Sequence, residues 1–391
     1  MPQAYIVGAV RTAGGRRNGR LKDWHPADLG GLVIDALLDK TGADPAAVDD
    51  VIFGCVSQAG AQSSNIARSA ALSSRLPESV PGTTVDRQCG SSQQSIHFAA
   101  QAVMSGTQDI VIAGGVEVMS MVPIGGAAIA GHKAGMGNPF GGKRMKARYP
   151  GKQFNQFLGA EMIAAQWDFS KDQLDEYALA SHQRATRAIE EGRFEREIVP
   201  VNVVLEDGSE AVHNEDEGVR RDATLEGIAG VKLMTEDGRL TAATSSQICD
   251  GAAAVMIVNE DGLKKLGIDP TAQIKTLSLA GSDPVIMLTA PIPATQIALK
   301  KAGMKIEDID LYEINEAFAS VPMAWLKDTG ADPEKLNVNG GAIALGHPLG
   351  GTGAKLMTTL VHELQRSGGK YGLQSMCEGG GMANATIIEM L

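Results

Sequence analysis

VDRQCGSSQQSIHFAAQAV, residues 85–103, and VNGGAIALGHPLGGTGAKLMTTLVHEL, residues 338–364, carry one pattern twice. In the first, Ile96, Ala99, Ala100 and Val103 stand at i, i+3, i+4 and i+7; in the second, Met357, Leu360, Val361 and Leu364 repeat that spacing. Side chains so spaced share one face of a helix, so each stretch predicts a helix with a single apolar stripe. Each follows a short extended run, GTTVD or LNVNG, and each stops at glycine, at Gly106 or at the Gly368-Gly369 pair. Glycine suits the left-handed residue that ends many helices.

The flanks repeat as well. VDDVIFGCVSQAG (48–60) matches IEDIDLYEINEAF (306–318) in acidic residues, a short apolar strand and a polar loop. TQDIVIAGGVEVM (107–119) matches GLQSMCEGGGMAN (372–384), a strand running into clustered glycines. His347 against Cys89, Met357 against Ile96 and Gly379 against Gly114 keep nearly one offset, which argues for duplication. Apolar strands beside buried helices predict an α/β protein, two βαβ-type halves in a layered α/β/α arrangement. The expected bounds are 1–263 for the first half and 270–391 for the second.

Between the repeats, at about 120–248, the character changes. MVPIGGAAIAGHKAGMGNPFGGKRMKARYPGK (121–152) is glycine-rich, locally basic and without a sustained period, which predicts a long loop or flap. SKDQLDEYALASHQRATRAIEEG (170–192) predicts a helix: Ser170 and Gln173 form a capping box, and Leu174, Tyr177, Ala178, Ser181 and Ala185 line one face. An insertion of this length is expected to carry substrate contacts. Its lysines and arginines (Lys133, Lys143, Arg144, Lys146, Arg148, Lys152) read as solvated loop charge or as an attraction for phosphates.

With 391 residues, 43% of them hydrophobic, the chain can bury a large core; 47 glycines allow close backbone approaches. Aromatics are only 4% and net charge is −11, which opposes both base stacking and phosphate-backbone binding, so no nucleic-acid partner is expected. The sequence has no apolar run of roughly 18–20 residues, so no membrane span is expected. The start, MPQAYIVGAVRTAGGRR, lacks the basic-then-apolar order of a signal peptide, and the chain reads as cytoplasmic. IVGAVRTAGG does not make the G-x-G-x-x-G turn of a nucleotide-linked dehydrogenase.

Four cysteines without a C-x-x-C pair fit a reducing compartment rather than a disulfide framework or zinc ribbon. Cys55 and Cys249 read as structural. Cys89 stands at the mouth of a helix, where the dipole favours thiolate, although a free cysteine is more often a small buried hydrophobe. The corresponding corner of the second half holds His347, ringed by Gly346, Gly350, Gly351 and Gly353, and a thiol opposite an imidazole has the logic of an activated nucleophile. Cys377 ends what reads as the last apolar strand, before EGGGMAN, placed for a second acid or base, with nearby backbone N–H groups as an oxyanion hole or, equally, as a plain strand cysteine. Asn315 and Glu316, in YEINEAFA, put an amide and a carboxylate at another strand end, or cap the helix that follows.

In order along the chain, DRQCGSSQQ, NEAFA, NGGAIALGHPLGGTGA and CEGGGMAN resemble the motifs of the thiolase family, over nearly its whole length. The resemblance implies a CoA-dependent acyltransferase that cleaves 3-oxoacyl-CoA through a Cys89 thioester with ping-pong kinetics. It implies His347 as the residue that activates Cys89 and binds a thioester oxygen, and Cys377 as the one that moves the α-proton. Asn315 would hold a water in one oxyanion hole, and the N–H groups of Cys89 and Gly379 would form the other. Arg220 would lie near the coenzyme A nucleotide and Ser246 near the pantetheine. Coenzyme A and acyl-CoAs enter as substrates, no metal or redox cofactor is implied, and a homodimer or homotetramer is expected.

Three departures bear on substrate. Asp86 and GSSQQS surround the nucleophile where many members have asparagine and SGLQA. Asn155 and Gln156 stand where short-chain biosynthetic members carry a His-Met pair. Glu378 replaces the isoleucine of the short-chain type beside Cys377. These favour degradative cleavage of longer or bulkier acyl groups over acetoacetyl-CoA. The rivals are a biosynthetic acetoacetyl-CoA thiolase, a decarboxylating ketoacyl synthase, against which Cys377 argues, and a non-catalytic acyl-CoA or lipid binder, which would have lost part of the Cys89, His347 and Cys377 set.

Overall fold

A computed structural model describes residues 2–391. The first half runs through β1 (Tyr5–Thr12), β2 (Gly15–Arg16), α1 (Pro26–Thr41), β3 (Asp50–Gly54), α2 (Ile66–Leu72), β4 (Gly82–Val85), α3 (Ser91–Ser105) and β5 (Ile110–Val118). The insertion adds α4 (Gly126–Lys133), α5 (Lys143–Arg148), α6 (Gln156–Gln166) and α7 (Lys171–Glu190). It continues through β6 (Ile198–Val199), the hairpin of β7 (Val201–Val204) and β8 (Glu210–His213), and α8 (Leu225–Ala229). The chain returns in β9 (Cys249–Val258) and α9 (Glu260–Leu266). The second half is β10 (Ala272–Gly281), α10 (Pro291–Ala302), β11 (Leu311–Ile314), α11 (Ser320–Thr329), α12 (Ala342–Leu345), α13 (Thr352–Ser367), β12 (Tyr371–Glu378) and β13 (Met382–Met390).

The duplication is visible in the strand order β11-β12-β13-β10-β1-β9-β5-β3-β4. Reading inward from either side, β3, β5, β9 and β1 have the counterparts β11, β12, β13 and β10, and the two sets meet where β1 pairs antiparallel with β10. Each set has a parallel pair, β3–β5 or β11–β12, followed by an antiparallel return strand. The helices fill the layers between. Ile96, Ala99, Ala100 and Val103 of α3 share one apolar cluster with Met357, Leu360, Val361 and Leu364 of α13, so the two stripes face each other between the halves. Each large aliphatic side chain there contributes roughly 2 kcal/mol by leaving water. Helices α1 and α2 cover the outer face of the first half, and α10 and α11 that of the second. Both central helices end as expected, at Gly106 (φ 73°) and Gly368 (φ 74°).

The structure departs from the sequence reading in three places. GTTV forms β4, but LNVNG makes only an isolated bridge from Leu336 to Tyr312, and Asn337 turns left-handed (φ 45°), so the second half lacks an equivalent of β4. The flap contains two short helices, α4 and α5, neither of which buries a residue; their helical conformation is local, which is why no apolar period announces it. Cys377 lies on the penultimate strand, because Gly379, Gly380 and Gly381 form a hairpin turn into β13. Helix α7 follows the reading closely: Ser170 and Gln173 exchange the capping-box hydrogen bonds, and Leu174, Ala178, Ser181 and Ala185 are buried.

Candidate active site

Cys89 sits in the turn between β4 and α3, one residue before the N-cap Gly90. The preceding Gln88 is left-handed (φ 49°), a conformation that costs a non-glycine residue on the order of 1 kcal/mol. Local bonds hold it: Gln88 N–H donates to Asp86 Oδ1 (2.8 Å), and the Ser91 hydroxyl donates to Gln88 O (2.5 Å). The sharp turn brings the thiol out of the strand line, into an apolar cluster with Met119, Leu349, Leu356 and Met376. Only 9% of Cys89 is exposed. Burial pushes its pKa up, and the charges of Cys377 and Glu378 add to that; the N–H groups of Cys89 itself and of Gly379 pull the other way. Here the structure corrects the expectation of a dipole-favoured thiolate. Desolvation outweighs the helix end, so the resting sulfur keeps its proton and needs a base.

His347 supplies a base of the right form. Burial, assisted by the Lys355 charge, lowers its pKa to about 3, so the imidazole is neutral at physiological pH. Its Nδ1 lies 2.6 Å from Thr352 Oγ1, whose single proton is donated to Pro348 O at 2.9 Å. The arrangement that makes both bonds has Nδ1–H donating to Thr352, which leaves the Nε2 lone pair free. Nε2 is buried and has no hydrogen-bond partner. Two buried carboxylates fix this segment. Glu117 accepts from Gly350 N–H (2.9 Å) as well as from Val56 and Ser57 N–H. Glu316 accepts from Ile343 N–H (3.1 Å), Ser181 Oγ, Tyr177 Oη and Asn337 Nδ2. Gly350 O also lies so close to the Cα atoms of Gly54 and Gly115 that neither position has room for a Cβ.

The third corner is the end of β12. The charge of Cys377 is felt at the Cys89 sulfur, and Gly379 N–H reaches that same sulfur, so Cys89, Cys377 and Gly379 converge. Burial pushes the Cys377 thiol up to about 12, with the Asn315 amide pulling it back. Asn315 follows β11, the parallel neighbour of β12, with its N–H on Ser375 O (3.1 Å). Neither Asn315 Oδ1 nor Nδ2 makes a hydrogen bond of ordinary geometry, so it is not a helix cap; α11 begins after Ala319 with no side-chain cap.

Above these groups opens a cavity of about 500 Å³ lined by Met119, Ile124, Phe157, Met234, Phe318 and Leu349, with His347 and Ser246 on its polar side. Arg220 lines it too, along with a neighbouring cavity of about 300 Å³ that holds His182 and Thr224. Thus Arg220 and Ser246 share this lining with His347, while Cys89, Cys377, Asn315 and Gly379 are not among the residues that line it. Cys89 meets the cavity through Met119 and Leu349. Gln156 lines the wall, and Asn155 caps α6 by accepting from Phe157 and Leu158 N–H. Cys55 is packed against Glu117 in the outer core, and Cys249 opens β9; both are buried and unpaired. Sequence reasoning did not find Thr352, whose partners His347 and Pro348 are only five and four residues away, nor Glu117 and Arg87, whose roles depend on partners far along the chain. Glu378 was noticed only as a departure, with no hint of its burial.

Residues 4–261 match the family profile described as Thiolase, N-terminal domain, and residues 268–390 the one described as Thiolase, C-terminal domain. The steroid 3-ketoacyl-CoA thiolase FadA6 of Mycobacterium tuberculosis is 55% identical over 392 residues, covering 100% of this chain and 95% of that protein. A 3-ketoacyl-CoA thiolase of Marinobacter nauticus is 41% identical, over 99% of this chain and 98% of its own. The crystal structure of the Bacillus anthracis acetyl-CoA acetyltransferase superposes with a TM-score of 0.89 at 37% identity, covering 100% of this chain and 99% of that one.

Proposed function

Because the chain belongs to the thiolase family and is an acyltransferase of that kind, we propose that it degrades bulky 3-oxoacyl-CoAs by CoA-dependent cleavage at this site. The observation that carries the reading is that Cys377 and the Gly379 N–H both act on the Cys89 sulfur, while His347 lines the cavity with a buried Nε2 free to take a proton. His347 Nε2 removes the Cys89 proton and the thiolate attacks the 3-keto carbon. The bond between that carbon and the α-carbon breaks, its electron pair passes into the acetyl-CoA enolate, and the Cys377 S–H protonates the α-carbon. Acetyl-CoA leaves, the Cys377 thiolate takes the CoA proton as the CoA sulfur attacks the Cys89 thioester carbonyl, and the Cys89 thiolate expelled takes back the proton held by His347. The N–H groups of Cys89 and Gly379 stabilise oxygen charge in these steps, with Asn315 and His347 serving the other oxygen.

Substrate size follows from the cavity. Its apolar wall and about 500 Å³ suit a branched or ring-bearing acyl group, in keeping with the relative named for steroid 3-ketoacyl-CoA. Arg220, which lines both cavities, suits CoA phosphates, and Ser246 the pantetheine arm. An assembly of at least two copies belongs to the same proposal, since β4 ends the sheet with an unpaired edge that a second copy would cover. No described helix is long and apolar enough to cross a membrane.

The test is CoA-dependent loss of 3-oxoacyl-CoA enolate absorbance, with acyl groups from acetoacetyl to ring-bearing. Greater kcat/KM for bulky acyl groups is expected; a preference for acetoacetyl-CoA would refute the substrate class, and no cleavage of any substrate by folded protein would refute the activity. A second expectation concerns the base. Thr352→Val removes the partner that fixes the His347 tautomer and should lower kcat about 10- to 100-fold with KM little changed. An unchanged kcat would show that the hydroxyl does not orient the ring.

A further inference from the structure

We propose that Glu378 is a proton-holding member of this site, a positioning residue kept as a neutral carboxylic acid whose ionisation governs how readily the two thiols ionise. The inference rests on the reading of Cys89 and Cys377 as the reacting thiols. Glu378 ends β12 just before Gly379, and Met376, two residues earlier and so on the same face of the strand, shares the apolar cluster of Cys89. Glu378 is 0% exposed, and neither of its carboxyl oxygens makes a hydrogen bond of ordinary geometry. Its Oε1 lies directly against the Cα of Gly90, the residue after the nucleophile, with Asn384 Nδ2 beside it. Asn384 Nδ2 itself donates to Gly90 O at 3.0 Å.

The groups around the carboxyl come from three elements. From the β4–α3 turn come Arg87, Cys89 and Gln88, which lies against Gly379; from β13 comes Asn384; from β12 itself comes Cys377. Arg87 is the cation among them. It has a buried Nε without a partner and an Nη1 turned to Met382 Sδ, and it makes no ion pair with Glu378. An unpaired carboxyl buried so near two sulfurs is far cheaper to keep protonated than charged. Burial accordingly pushes Glu378 up to about 8, with the Arg87 charge and then the Asn384 N–H drawing it the other way. Its anion would raise the pKa of both thiols, and its neutral acid would not. The site thus carries one negative charge at a time near neutrality, and a Cys89 thiolate forms without a second anion beside it.

The experiment follows alkylation of Cys89 by iodoacetamide, read from the mass of its peptide, in wild type and Glu378→Gln across about pH 6 to pH 10. The amide copies the shape of the neutral acid, so the two rates should coincide at the acid end. On the alkaline side the variant should react about tenfold faster, because removing a nearby anion lowers the thiol pKa by about one unit. Rates that coincide throughout, or differ by one constant factor as loosened packing would produce, overturn the proposal. Should Glu378→Gln fail to fold, the same profile in Cys377→Ala, which leaves Glu378 beside Cys89, must still depart from a one-proton curve; a one-proton curve there overturns it. Alkylation needs no turnover. A shifted profile in a protein that cleaves no 3-oxoacyl-CoA would sink the thiolase reading and leave the coupling standing.

Discussion

Cys89→Ala is expected to lower CoA-dependent cleavage by about 10⁴-fold or more, some 5.5 kcal/mol of lost transition-state stabilisation, with the fold intact. No covalent route survives without the sulfur, whereas the oxyanion donors and the cavity remain. The packing cost is small: Cys89 sits in a minor cluster with Met119, Leu349, Leu356 and Met376, and removing one sulfur atom there costs about 1 kcal/mol. The two effects separate cleanly. Intact-mass analysis after mixing with 3-oxoacyl-CoA should show an acyl adduct on the wild type and none on the variant, while urea midpoints stay close. Retention of more than about one per cent of activity would show that the nucleophile lies elsewhere.

Glu316→Ala should be the most damaging single change to stability, with a loss of about 3–5 kcal/mol. Its buried carboxylate accepts from Ser181 Oγ (2.7 Å), Asn337 Nδ2 (3.0 Å), Tyr177 Oη (3.1 Å) and Ile343 N–H (3.1 Å). Truncation leaves these donors facing a dry cavity, and water can restore only part of what is lost. The donors come from α7, the segment between α11 and α12, and α12 itself, so the insertion, the second half and the segment leading to His347 would loosen together. Glu316→Gln keeps the shape and one acceptor oxygen and should lose about half as much. A urea midpoint for Glu316→Ala corresponding to less than about 1 kcal/mol would mean that the cluster is not structural.

The repeat was legible because it is written in local periodicity. Ile96 to Val103 and Met357 to Leu364 carry their helices in their own spacing, and these are the stripes that meet in the core. The same symmetry is what singled out His347 as the counterpart of Cys89. Three features lay beyond local pattern. The positive φ at Gln88 falls on a residue type with no preference for it and is held by Asp86 and Ser91. The ionisation of Cys89 is decided by burial beside Cys377 and Glu378, residues nearly the whole chain away, which reversed the expectation drawn from the helix end alone. Asn315 and Glu316 are adjacent, yet one faces Cys377 and the other turns to α7; a strand end does not say which side chain goes where.

The meeting of α3 and α13 has a consequence in symmetry. Two similar halves joined across β1 and β10, each offering the same helix to the other, form an isologous interface enclosed within one chain. Between separate identical subunits, both sides of such an axis must carry the same residue at each position. Covalent linkage removes that requirement. A thiol, Cys89, can then occupy one corner and an imidazole, His347, its counterpart, so the broken identity of the two halves is what lets one repeat hold two different chemistries at matching positions.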